Sequence, residues 1–251
     1  MNPGVELEVS DLSAADQRDG IFSAFERLVA GQTLDLLLSF PAGTPGLLAE
    51  FQDRYGQGFD WSPLDNKADT FRVLIAKRTA EPRTISGFLG ADHHRLTACW
   101  EEFLEAVKAC GLSYETLFTT EKGHRVAAVD RLSHFIFGLR RHIRMEEDRL
   151  FPLFEDRSRI PAGSGPTAMM RAEHQQIEAI LSTVEKLLSA GDCATVIQTI
   201  EGQPVHPSAL FSSHDAKEES VLYPMADRLF TQAEKDDLCL KMQSVGTNSV
   251  R

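Results

Sequence analysis

The chain has 251 residues, 42% of them hydrophobic and 25% charged, a globular composition with room for one large domain or two of ordinary size. Its formal net charge of -11 argues against a nucleic-acid partner, because phosphate binding needs clustered Lys and Arg. No apolar stretch reaches the roughly 18 residues that span a bilayer, so no membrane association is expected.

The N-terminal segment MNPGVELEVSDL lacks a basic region followed by an apolar one, so no secretory signal is expected. Cys99, Cys110, Cys193 and Cys239 are isolated, with no C-x-x-C pair. Reduced thiols in a cytoplasmic protein are the expectation.

In chain order, Val5 to Val9 alternates apolar and acidic residues and predicts a strand. Asp16 to Ala30 predicts a helix carrying Ile21, Phe22, Phe25, Leu28 and Val29 on one face, with Gly31 as its cap. Thr33 to Phe40 reads as a buried strand, Pro45 to Tyr55 as a second helix, and Phe59 to Leu64 and Phe71 to Lys77 as two more strands. The polar stretch from Arg78 to Arg83 reads as a linker around Pro82.

Beyond it the strand signals vanish. Four long helices are predicted at about 85–111, 123–156, 166–190 and 207–229, with a short C-terminal helix at about 231–242 packing across an end. The expected fold class is α+β in two domains. A small β-α-β-α-β-β two-layer sandwich occupies residues 1–80, an antiparallel four-helix bundle residues 86–230, and a short helix and tail residues 231–251.

The second and fourth long helices carry nearly the same sentence. His142 to Pro152 reads HIRMEEDRLFP and His214 to Pro224 reads HDAKEESVLYP, a shared H-x-x-x-E-E-x-x-L-[FY]-P. The first and third share a shorter pattern, [DE]-H-x-x-[LI], at Asp92-His93 and Glu173-His174. Residues i and i+4 lie on one helix face, so His142 with Glu146, and His214 with Glu218, can present an imidazole and a carboxylate to one metal or an adjacent pair. Imidazole with carboxylate suits iron, and also zinc or manganese.

His93 and His174 each lie about eight residues into their helices, and the acidic motifs lie 12 to 13 residues from the ends of theirs. At 1.5 Å per residue these are depths of roughly 12–20 Å, one common layer. Trp100, Phe135, Leu139, Leu181 and Val221 fall at heptad-like spacings from the histidines and are expected to share their inward face. Six converging polar residues in an apolar bundle require a partner, and a metal pair supplies one.

On these motifs residues 86–230 resemble a hemerythrin-like (HHE cation-binding) domain. The resemblance implies a metal site of His93, His142, Glu146, His174, His214 and Glu218 holding two iron ions, as a non-haem di-iron centre with an oxo or hydroxo bridge. Oxygen-carrying hemerythrins place a second His where Glu178 stands and an Asp where Glu219 stands. The set is therefore closer to the di-iron proteins of nitric-oxide stress and iron–sulfur cluster repair.

Glu178 is open between supporting the ligands, joining them and neither. Trp100 is expected beside the site, and Tyr223 either approaches it or only packs. Glu147 and Glu219 are expected to be solvated or to support the ligands, and His94 to be exposed.

The N-terminal region resembles small sulfur-carrier-like domains, yet no cysteine precedes Cys99, so persulfide chemistry is excluded there. Neither the turn DLSAAD nor the loop SFPAGTP carries the residues that such domains use, and a docking module is expected. The functional expectation is an O2- or NO-binding sensor or stress-response protein, with a protein partner through the N-terminal domain. The alternatives are an enzyme that donates iron to, or repairs, iron–sulfur clusters or reduces NO or peroxide, and simple iron or oxygen handling.

Overall fold

The computed structural model describes residues 5–8, 14–39, 44–56, 58–66, 70–79, 83–109, 122–190, 193–202 and 207–245. Asp11 to Ser13, residues 40–43 of the SFPAGTP loop, residues 80–82, Cys110 and His206 lie outside them. The chain divides into two compact units, Met1–Arg83 with Gln232–Arg251, and Thr84–Thr231.

In the first unit the order is β1 (Val5–Glu8), α1 (Ala14–Arg27), β2 (Thr33–Ser39), α2 (Thr44–Tyr55), β3 (Phe59–Asn66) and β4 (Thr70–Lys77). The strands form one sheet in the order β1-β2-β4-β3, with β1 parallel to β2 and the other pairs antiparallel. Alternate residues Leu34 and Leu36, Phe59 and Trp61, and Phe71, Val73 and Ile75 face one core, as the two-residue strand period requires. Ile21, Phe22, Phe25 and Leu28 of α1 and Leu47, Leu48 and Phe51 of α2 cover them. Gly31 has φ +86° and donates its N–H to Lys77 O at 2.7 Å, a left-handed turn where a side chain would be strained.

Two expectations change here. Arg83, read as linker, is buried and donates to Phe59 O at 2.7 Å. The C-terminal helix, Gln232–Gln243, belongs to this unit and not to the end of the bundle. Its buried Leu238, Cys239 and Met242 give it an apolar stripe. Gln243 Nε2 then donates to Phe59 O and Asp60 Oδ1 at 3.2 and 2.9 Å.

The second unit is helical: α3 (Ile85–Ala109), α4 (Lys122–Met145), α5 (Phe151–Ser158), α6 (Gly165–Ser189), α7 (Cys193–Glu201), α8 (Pro207–Lys217) and α9 (Tyr223–Leu229), with the C-terminal helix numbered α10. Single π-helical turns, Glu146–Leu150 and Glu218–Leu222, join α4 to α5 and α8 to α9. Helix α7 lies where the sequence predicts no element; Val196 and Ile200, one turn apart, seat it on the core.

Neighbouring helices run in opposite directions. Along α3 and α4 the facing pairs are Glu102–Arg131, Trp100–Phe135 and Asp92–His142. Along α4, α5 and α6 they are Arg140–Glu178, Glu147–His174 and Thr167–Glu155. Along α3, α8 and α9 they are Ile85–Asp227, His93–Glu219 and Trp100–Ser208. Asp227 accepts the first free N–H groups of α3, from Ile85 at 2.6 Å and Ser86 at 3.1 Å, so the facing helix caps it. A Cβ at Gly138 would meet Leu96 Cδ2 at 2.8 Å, and glycine there lets α3 and α4 approach closely just where His93 and His142 meet.

Candidate metal centre

Both H-x-x-x-E motifs end in a π-helical turn, and the prolines explain why. Pro152 and Pro224 have no N–H to offer the carbonyl four residues back, and their rings crowd it. One residue is inserted, and the N–H groups of Phe151 and Tyr223 bond to Glu146 O and Glu218 O five residues back, a geometry frequent at functional sites. The insertion rotates the residues downstream of it. Val221, expected inward seven residues after His214, is 48% exposed, while Leu222 and Tyr223 are buried instead.

His93, His142, Glu146, His174, His214 and Glu218 are all buried, the two glutamates completely. Nε2 of His93 and Nε2 of His142 are 3.0 Å apart, and Nε2 of His174 and Nε2 of His214 are 3.1 Å apart. Two nitrogens bonded to one ion at about 2.1 Å and at right angles stand about this far from each other. Glu218 faces both pairs, with Oε2 3.3 Å from His93 Nε2 and Oε1 3.3 Å from His214 Nε2. Glu146 Oε2 lies 3.2 Å from His174 Nε2 and 3.6 Å from His142 Nε2. The donors thus fall into two groups, His93, His142 and Glu218, and Glu146, His174, His214 and Glu218.

Each histidine is held from behind by a carboxylate on Nδ1: Glu219 on His93 at 2.9 Å, Asp92 on His142 at 2.9 Å, Glu147 on His174 at 2.8 Å and Glu173 on His214 at 2.9 Å. Such a contact turns Nε2 inward and makes it a stronger donor to a metal. The pattern obeys the sequence repeat. The acidic residue before each first-helix histidine supports the histidine of its own hairpin, and the second Glu of each E-E supports a first-helix histidine. Glu147 and Glu219 therefore support, whereas Asp92 and Glu173 are visible in [DE]-H without a readable role.

Glu178 is engaged elsewhere: Arg140 Nη2 and Ser182 Oγ donate to it at 2.8 and 2.7 Å. Trp100 packs on Phe103, Phe135 and Phe211 and donates to Ser208 Oγ at 2.7 Å. It lines a cavity of about 250 Å³ with Leu96, Leu139 and Asp215. Asp215, which sequence reasoning passed over, lies 3.8 Å from His93 Nε2. Tyr223 does approach the site: its hydroxyl reaches four of the six donor residues.

Electrostatics tell what this constellation lacks. Burial disfavours the charged imidazolium, yet Glu218 and Asp215 raise His93 to about 10; against the same penalty Glu146 raises His174 to about 9. Burial raises Glu146, but His142, His174 and His214 draw it down to about 2. Burial and the charge of Glu146 raise Glu218. Protons on the histidines thus offset the carboxylates. Even so, Glu146 Oε2 and Glu218 Oε1 accept no hydrogen bond among the described residues, a costly state for buried carboxylates. Imidazole nitrogens and carboxylate oxygens converging around orphaned acceptors fit a pair of divalent or trivalent ions such as iron, manganese or zinc.

Residues 84–226 match the family model described as the Hemerythrin HHE cation binding domain. No curated protein and no solved structure matches the chain.

Proposed function

The chain belongs to the hemerythrin HHE cation-binding family, whose model spans more than half of it, and from that premise we propose that its helical unit is a non-haem di-iron centre for a small diatomic ligand. His93 and His142 would hold one ion and His174 and His214 the other, with the carboxylates of Glu146 and Glu218 presented to both pairs. The four helical segments α3, α4–α5, α6 and α8–α9 form the surrounding bundle. The observation that carries this reading is the pair of inward Nε2···Nε2 contacts at 3.0 and 3.1 Å on either side of two carboxylates with orphaned oxygens.

A di-iron pair supplies reversible or reductive chemistry toward O2 or NO. The chain's own residues bind and orient. The Nδ1 carboxylates fix the imidazoles, Phe151 stacks on the His174 ring at 5.7 Å, and Asp215, which helps line the largely apolar cavity, stands 3.8 Å from His93 Nε2. We assign a sensing or stress-response role, with the α/β unit as a docking module. Residues 1–83 of that unit hold no His or Cys, and the Cys239 that α10 brings to it is buried.

Metal analysis and an anaerobic titration of the ferrous protein test the reading. Two irons per chain and a stable adduct with O2 or NO support a sensor. Consumption of NO with release of N2O, or transfer of iron to a cluster acceptor, moves the assignment to an enzyme. Absence of metal uptake overturns it.

A further inference from the structure

The two halves of the site are related by the internal repeat but are not equal. Where the first motif has Phe151, the second has Tyr223. Phe151 lies parallel to the His174 ring, at 3°. Tyr223 lies against the His93 ring at 5.5 Å, and its hydroxyl points into the donors. Tyr223 Oη is 3.2 Å from His93 Nε2, 3.3 Å from His142 Nε2, 3.1 Å from Glu218 Oε2 and 2.8 Å from Glu146 Oε1. Tyr223 is wholly buried.

These distances have a common meaning. Around His93, His142 and Glu218, the contacts His93–His142, His93–Glu218, Tyr223–His93, Tyr223–His142 and Tyr223–Glu218 span 3.0 to 3.3 Å. That is the spacing of adjacent donor atoms bonded to one ion at roughly 2.1–2.3 Å. The phenol oxygen stands as one more corner of this set. Glu146 Oε2 stands closer to His174 Nε2, at 3.2 Å, than to His142 Nε2, at 3.6 Å, so the His174 half has four close protein donors and the His93 half three until the phenol oxygen is counted.

We propose that Tyr223 is a seventh protein ligand, its phenolate oxygen bonding to the ion held by His93 and His142 and giving the two metal positions different donor sets. The O–H bond breaks as the oxygen–metal bond forms, and the proton is released to solvent. Metal charge makes this step favourable. The half closed by Phe151 has no such donor. The inference rests on the di-iron reading above.

The experiment is the visible absorption and resonance Raman spectrum of the full chain. It is loaded anaerobically with Fe(II), analysed for iron and oxidised with ferricyanide. A phenolate-to-Fe(III) charge-transfer band with enhanced tyrosine ring modes is expected, and Tyr223→Phe is expected to abolish both while keeping two irons at a weakened first half. Two irons per chain without phenolate modes, or modes that persist in Tyr223→Phe, overturn the ligand and leave the di-iron reading standing. A wild-type chain that takes up no iron sinks both. The wild-type spectrum decides the matter even if the variant does not fold.

Discussion

Glu219 Oε1 sits 2.9 Å from Nδ1 of His93, reaching from the π-helical turn after α8 to a histidine on α3. The carboxylate is 42% exposed while the imidazole is buried, so the contact joins a wet residue to a dry one. Glu219→Ala is therefore expected to separate support of the metal from support of the fold. Removing a partner that orients a metal-binding imidazole lowers affinity about 10–100-fold, whereas loss of a partly exposed hydrogen bond costs only about 0.5–1.5 kcal/mol. Competition with a chelator of known affinity and thermal melting of the metal-free variant measure the two effects. An affinity unchanged from wild type would remove Glu219 from the centre.

Metal is expected to stabilise the helical unit strongly, because it satisfies the orphaned oxygens of Glu146 and Glu218. A ligand at a thousandfold excess over its dissociation constant adds about 4 kcal/mol. For a unit of this size each kcal/mol raises Tm by about 2–4 °C, so a rise of about 8–16 °C on loading is the expected outcome in calorimetry, reversed by a chelator. Glu218→Ala should cancel most of the rise, since Glu218 stands 3.3 Å from a histidine nitrogen of each pair. A metal-free chain that melts as high as the loaded one contradicts the picture.

The donors are legible because their chemistry is written twice. The repeated H-x-x-x-E and the equal depths of His93 and His174 need only helical geometry to converge, and the six residues do converge. The illegible parts depend on facing elements. Asp92 and Glu173 belong to α3 and α6 but act on His142 and His214, and no local pattern states a cross-helix hydrogen bond. Whether Tyr223 approaches the donors or only packs stays open in the sequence for the same reason. The exposure of Val221 escapes a heptad count that assumes an unbroken α-helix, although Pro224 inside the pattern is the available sign of a break. In the α/β unit the strands and helices follow from alternation and from apolar faces. The strand order β1-β2-β4-β3 and the seating of α10 rest on long-range packing that periodicity does not encode.

The metal-free protein should lose stability as pH rises. His93 and His174 have an ordinary value of 6.5 and stand at about 10 and about 9 in the folded chain. A group raised by folding stabilises fully below its unfolded value and loses that contribution as pH climbs through the folded one. The Tm of the metal-free chain is thus expected to fall between pH 6.5 and 10. Ions that replace those protons should remove the fall, so the gain in Tm on loading grows with pH across the same window. Melting curves of both forms at matched ionic strength check this; a metal-free Tm that rises through the window contradicts it.

The π-helical turns aim the carboxylates. The turn Glu146–Leu150 is one residue longer than the α-helical path it replaces. Asp148 within it is exposed and has no donor role. Deleting Asp148 removes the inserted residue and forces Pro152 against the carbonyl four residues back, with α5 kept in phase so that Phe151 and Phe154 still enter the core. Helix content by circular dichroism is expected to stay within error, with a loss of stability of about 3 kcal/mol, the cost of a proline inside regular helix. Glu146 and Glu147, by contrast, change their angle relative to His142 and His174. One loses its place between the ions and the other its hydrogen bond to Nδ1. Metal affinity should therefore drop at least about 100-fold while the fold survives, and substitution of Asp148 by Ala, which keeps the extra residue, should leave affinity unchanged. Equal affinity in the deletion and the substitution would show that the inserted residue has no part in aiming the carboxylates.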